Sequence, residues 1–281
     1  MLIDAHQHFW RLADRVGHWP PPALAPIHRD FGHADLEPLL AKSGVAGTVL
    51  VQSLPTVADT LQLLQLAAQH PVVKGVVGWV DLLATDAPAQ ITALANHRKL
   101  KGLRPMLQDL PDTYWIAQAA LTPAVTAMQA HGLVFDALVL PQHLGALLAF
   151  AQRHPDLPIV IDHAAKPEIA LARLDPWRQD MAALAALPQV HCKLSGLLTE
   201  AGAHARASAL EPYVAHLFAT FGAERLIWGS DWPVLNLAAD YADWLAMAQA
   251  LCKGQPGMDD THMAAIFGDN ARRIYRLDQN T

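Results

Sequence analysis

Short, apolar, β-branched runs alternate with longer Ala/Leu-rich stretches along the whole chain. The runs are LIDAH (2–6), GTVLVQ (47–52), VVKGVVGWV (72–80), LKGLRP (100–105), LVFDALVLP (133–141), PIVID (158–162), VHCKLSG (190–196) and LIWGSD (226–231). Most are continuously apolar, as strands buried on both faces of a parallel sheet are. Between them, apolar positions recur at helical spacing in 35–44, 59–70, 88–97, 113–131, 142–154, 177–187, 209–222 and 241–253. Several of these stretches stop at Gly or at His-Pro, both of which end helices.

Eight strands alternating with helices predict an α/β chain folded as a (β/α)8 TIM barrel, a single domain over residues 1–281. A doubly wound sheet is the alternative, but it carries a Gly-rich loop after its first strand, and none follows here. The segment after His8 holds Trp10, Trp19 and the run Pro20-Pro21-Pro22. It reads as a long loop over the barrel mouth, leading to the helix at 35–44. The tail, 259–277, reads as one or two closing helices.

Composition narrows the function. The chain of 281 residues is 52% hydrophobic and 16% charged, enough apolar material for a large core. A net charge of −6 without a basic patch argues against nucleic acid. No apolar run reaches the length of a membrane span. Asp4 and two histidines at the start do not suit a signal peptide, and Cys192 and Cys252 suit reduced thiols. A cytoplasmic enzyme with a small-molecule substrate is expected.

Candidate chemistry begins with IDAHQHFW, residues 3–10. Among 15 histidines, random placement gives about 0.8 His-x-His pairs. Position is what lifts His6 and His8 above chance. Residues i and i+2 of a strand face one way, and barrel active sites lie at the C-terminal ends of the strands. The other strand ends carry matching polar groups: Gln52, Arg104, Asp136, Asp162-His163 with Lys166, Lys193 with Ser195, and Asp231-Trp232. Arg104 suits a carbonyl or carboxylate. Asp4 is expected to be a support within the barrel, Asp136 a structural pair, and Asp162 a group behind His163.

Together, IDAHQHFW, KGLRPMLQD, IVIDHAAKP, HCKLSGL and LIWGSDWPVL resemble the amidohydrolase superfamily. The likeness runs from residue 2 to about residue 276. It points to the amidohydrolase-2 branch, which holds sugar lactonases of the L-fuconolactonase and L-rhamnonolactonase type and a pyrone-dicarboxylate lactonase. The resemblance implies a hydrolase that opens a sugar (aldono-) lactone such as L-fuconolactone. Asp231 would activate water, and His6, His8 and His163 would stabilise the oxyanion. These four residues are the implied ligands of a single divalent ion, zinc first, unless they work as a metal-free cluster. Strand five ends in FDALVLP and supplies no histidine, so a two-metal site is not expected. Arg104, Gln52, Lys166 and Lys193 are expected to bind substrate, with Trp10, Trp115 and Trp232 as flat faces for a sugar ring. Two alternatives stand beside this reading: a metal-dependent decarboxylase of the same superfamily, and a non-catalytic barrel that binds a sugar or a metal.

Overall fold

The computed structural model describes residues 1–202 and 205–280. Eight strands, β1 (Leu2–Gln7), β2 (Val45–Val51), β3 (Val73–Gly78), β4 (Leu100–Leu103), β5 (Val134–Ala137), β6 (Ile159–Ile161), β7 (Val190–Leu194) and β8 (Leu226–Trp228), pair in chain order. All seven ladders are parallel. This is the expected (β/α)8 barrel. Alternation along each strand sorts its apolar residues. Ile3, Val49, Val77, Val134, Val160 and Ile227 fill the barrel interior. Their neighbours, such as Leu50, Val76, Phe135 and Ile161, face the surrounding helices.

The helices are α1 (His33–Ser43), α2 (Val57–Gln69), α3 (Ala87–Ala95), α4 (Thr122–Ala130), α5 (Leu144–Arg153), α6 (Trp177–Ala185), α7 (Leu197–Ala201), α8 (Ala207–Phe221), α9 (Tyr241–Lys253), α10 (Asp260–Ala264) and α11 (Asn270–Ile274). Most match the apolar periodicity to within a few residues. The stretch 113–131 does not form one helix. It makes two 3-10 turns, Trp115–Ala117 and Ala119–Leu121, before α4 starts with Pro123 in its first turn. The tail forms two short helices around a π turn, Ala265–Asp269. Its residues Ala271, Tyr275 and Leu277 close the end of the barrel opposite the mouth. Among the described residues, no helix is long and apolar enough to cross a membrane.

The ring closes between β1 and the chain just beyond β8. Asp231 N donates to His6 O at 2.8 Å, and His8 N donates to Trp232 O at 2.8 Å. Below these bonds lies the buried Asp4 carboxylate. It accepts from Ser230 N at 2.8 Å, Ser230 Oγ at 2.6 Å, Tyr241 OH at 2.9 Å and His6 N at 3.1 Å. Burial pushes its pKa up to about 6 against the pull of those donors. The expected support role of Asp4 is thereby given a geometry: it clamps the first strand to the last. Gly229 permits the close approach, because a Cβ there would stand 2.7 Å from His6 Cβ.

Replacing Asp4 by Ala leaves the Ser230 and Tyr241 donors facing an apolar gap. Thermal and urea unfolding of Asp4→Ala should show a loss on the order of 3 kcal/mol. An unchanged midpoint would mean that the seam holds without the clamp.

Candidate active site

His6, His8, His163 and Asp231 meet at the barrel mouth. His6 Nε2 lies 3.2 Å from His8 Nε2 and 3.7 Å from Asp231 Oδ1. Asp231 Oδ1 is also 3.4 Å from His8 Nε2 and 3.8 Å from His163 Nε2. One carboxylate oxygen thus faces three imidazoles. Two stretches of left-handed backbone aim these groups. His163, Ala164, Ala165 and Lys166 run consecutively at φ between 50° and 61°, and Asp231 sits at φ 59°. Non-glycine residues hold this conformation only when their surroundings compel it, at about 1–3 kcal/mol each, and such strain gathers at functional sites. The turn at 162–166 sends Asp162 inward and His163 toward the cavity. His163 Nδ1 is held by Ser195 Oγ at 2.9 Å. Gly196, at φ 66°, packs on the same ring; a Cβ there would lie 2.7 Å from His163 Nδ1.

Burial keeps the imidazoles neutral. It lowers the pKa of His6 and His8 and takes His163 down to about 4. Burial alone would push the Asp231 carboxyl up, but His163, His8 and His6 outweigh it and hold it below the usual carboxylate range. Near neutral pH the site is one anion among neutral rings. The tautomers follow from the partners. Val51 O, 2.7 Å from His8 Nδ1, can only accept, so His8 carries its proton on Nδ1 and presents a bare Nε2.

Beneath His6 lies a buried ionic cluster. Lys193 Nζ contacts Asp136 Oδ2 at 2.5 Å and Asp162 Oδ1 at 2.9 Å, and reaches His6 Nδ1 at 3.2 Å. Tyr275 OH donates to Asp136 from the closing tail at 2.9 Å. Arg104 Nη1 lies 3.3 Å from Asp162 Oδ2 and 3.4 Å from His6 Nε2, while its Nη2 donates to Gln52 O. Gln52 Nε2 returns a bond to Arg104 O at 2.7 Å. Burial works against the Lys193 charge, but Asp136 and Asp162 more than compensate, and the ammonium persists.

These contacts correct four expectations. Lys193 and Gln52 are fully buried and do not line the cavity; the carboxylates and the Arg104 backbone occupy their polar ends. Trp10 and Trp232 do not line it either. Trp10 donates to Arg29 O at 2.8 Å and packs on Phe31, and Trp232 packs on Phe9 and Phe31. Both fasten the long loop to the barrel, because their rings are large enough to fill the space beneath it. The other sequence-derived residues, His8, Arg104, Trp115, His163, Lys166 and Asp231, do line a mouth cavity of about 770 Å³, with His6 directly under them. The cavity wall adds groups the sequence had not singled out for substrate: His18 and Trp19 from the long loop, Trp79 after β3, Asp109, and Glu200 on α7. Helix α7 has only five residues, too few for apolar periodicity to announce it.

The donor set suits a small cation. One ligand atom each from His6, His163 and Asp231 lies within 4.8 Å of the others, and all three residues are buried. Imidazole nitrogen and carboxylate oxygen are ordinary zinc donors. His6 Nδ1 stands between Lys193 Nζ at 3.2 Å and Asp162 Oδ1 at 3.4 Å, and this support behind the ring turns its Nε2 toward Asp231.

The chain matches the amidohydrolase family over residues 3–277. An L-fucono-1,5-lactonase of Burkholderia ambifaria is 58% identical over 280 residues, covering 99% of this chain and 96% of that protein. An L-fucono-1,5-lactonase of Burkholderia multivorans is 36% identical, covering 99% and 96%. A crystal structure of an amidohydrolase from Burkholderia multivorans with zinc bound superposes with a TM-score of 0.90 at 36% identity, each chain covering 99% of the other. From the first barrel strand through the last closing helix, by sequence and by structure, this chain belongs to the amidohydrolase family.

Proposed function

We propose that this single barrel hydrolyses a sugar lactone, opening an aldono-1,5-lactone such as L-fucono-1,5-lactone to the aldonic acid. The observation that carries the reading is the Asp231 carboxylate, ionised among three neutral imidazoles at the floor of the mouth cavity. Likeness to the two Burkholderia L-fucono-1,5-lactonases supports it across the whole chain. β5 offers Asp136, bound below the floor to Lys193 and Tyr275, and no histidine to the cavity.

Asp231 accepts a proton from water as the water oxygen bonds to the lactone carbonyl carbon. The carbonyl oxygen gains charge and lies against the Arg104 guanidinium beside His6, whose donors are already oriented; His8, bare at Nε2, has no proton to donate to it. When the ring C–O bond breaks, Asp231 returns the proton to the departing ring oxygen, and a hydroxy acid results. His163 holds Asp231 in place. A divalent ion, zinc for preference, would be held by His6, His163 and Asp231 and would polarise the carbonyl. Trp115 offers a flat face for the sugar ring, and Lys166 a donor for a hydroxyl. Asp81, Asp109, Glu200 and Asp231 outnumber Arg104 and Lys166 around the cavity, which favours a neutral polyol over a dicarboxylate.

Three experiments test this reading. Proton release from L-fucono-1,5-lactone in weak buffer should fall about 10³-fold in Asp231→Asn, corrected for spontaneous hydrolysis; a near-normal rate would remove Asp231 from the chemistry. Gly196→Ala should keep the fold but lose about 10²-fold in kcat, because the new Cβ shifts the His163 ring. Wild-type kcat in that variant would show that His163 tolerates displacement. Calorimetric zinc titration should saturate at one equivalent in the wild type and fail in His163→Asn; equal binding in both would put the ion elsewhere.

A further inference from the structure

We propose that Glu200, together with Lys166, reads one hydroxyl group of the substrate and thereby selects among lactones. The inference rests on the lactonase reading and goes beyond it by naming a specificity residue and the chemical group it recognises.

Both side chains line the mouth cavity that also holds His8, His163 and Asp231. They reach it from different elements. Lys166 ends the left-handed run that begins at His163, so its position is tied to that histidine by three intervening peptide units in one fixed conformation. Glu200 projects from α7, whose first residue follows Gly196, the glycine packed on the His163 ring. Neighbouring Thr199 has no proton left for a ligand, because its hydroxyl donates to Gly196 O at 2.7 Å.

The two charged ends stand 3.9 Å apart, Lys166 Nζ to Glu200 Oε1. A charge-assisted hydrogen bond between them would measure about 2.7–2.9 Å. The gap is wide enough for one oxygen atom to bond both ends at ordinary length. Chemistry then decides which oxygen. An ammonium only donates and a carboxylate only accepts. The group between them must accept from Lys166 and donate to Glu200, and a hydroxyl does both. A ring or carbonyl oxygen has no proton for Glu200. A methylene or methyl satisfies neither end. A carboxylate on the ligand would accept from Lys166 but meet the like charge of Glu200. Both side chains are about three-quarters buried, at 23% and 28% exposure, so water competes weakly with a bound hydroxyl. Burial, and the Asp231 charge, also push the Glu200 carboxyl up while Lys166 pulls it down.

The test compares two lactones on each protein. L-fucono-1,5-lactone carries ring hydroxyls, and δ-valerolactone has the same ring without them. The readout is the ratio of kcat/KM for the sugar lactone to that for δ-valerolactone. Glu200→Leu removes the acceptor, and the ratio should fall about 10- to 100-fold, mostly through KM for the sugar. Glu200→Gln keeps a carbonyl oxygen and should recover part of the ratio, and Lys166→Met should lower it as Glu200→Leu does. A ratio unchanged in Glu200→Leu and Lys166→Met, whether both rates hold or both fall together, would overturn the proposal. The Gln variant guards against misfolding of the Leu variant, and its melting temperature is read alongside. Failure of the wild type to hydrolyse either lactone would instead overturn the lactonase reading, and the hydroxyl proposal with it.

Discussion

The seam between the first strand and the last governs the rest of this molecule. A parallel barrel must close on itself, and here closure and chemistry use the same residues. Asp231 donates its backbone N–H to His6 O, and His8 donates to Trp232 O. The peptide bonds that finish the ring therefore bring the two histidines of β1 against the aspartate beyond β8. Asp4, one alternation below His6, holds both sides through Ser230 and Tyr241. Displacing the first strand by one residue would turn the histidines outward, since strand side chains alternate faces.

Under that seam, the barrel carries charge in its core. Lys193 lies between Asp136 and Asp162, and Arg104 covers Asp162 from above. Burying so many charges costs free energy that a hydrophobic core would not spend. The arrangement is intelligible as a rigid support for one imidazole ring. His6 Nδ1 touches Lys193 and Asp162, while Nε2 faces His8, Arg104 and Asp231. Tyr275 extends this support to the closing tail, so the far end of the chain reaches the underside of the site.

Burial also sets the division of labour between acid and imidazole. Desolvation lowers the pKa of all three histidines, while the same histidines hold the Asp231 proton off. Two kinds of titratable group are pushed apart, one kept neutral and one kept anionic, by a single environment. The strained turns at His163–Lys166 and at Asp231 are consistent with this, because direction matters more than backbone comfort where a few polar atoms must converge.

Much of this was legible in the linear chain. Eight apolar runs separated by helical periodicity determined the barrel, since a strand buried on both faces has no polar alternative. HQH, DHAAK and GSDW at the ends of such runs marked His6, His8, His163, Lys166 and Asp231, because strand ends at the barrel mouth are the only places where those residues can meet. What the chain could not show was where each long side chain points. Lys193 and Gln52 looked like substrate ligands, yet inward alternation turned them beneath the floor to partners contributed by other strands. Trp10 and Trp232 looked like sugar platforms, but the loop folded over them and buried their rings. Glu200 went unmarked on a helix too short to have a period. Local pattern determined the elements and the strand-end chemistry. Only tertiary packing decided which polar groups face the cavity and which are spent on one another, because that choice depends on neighbours distant in sequence.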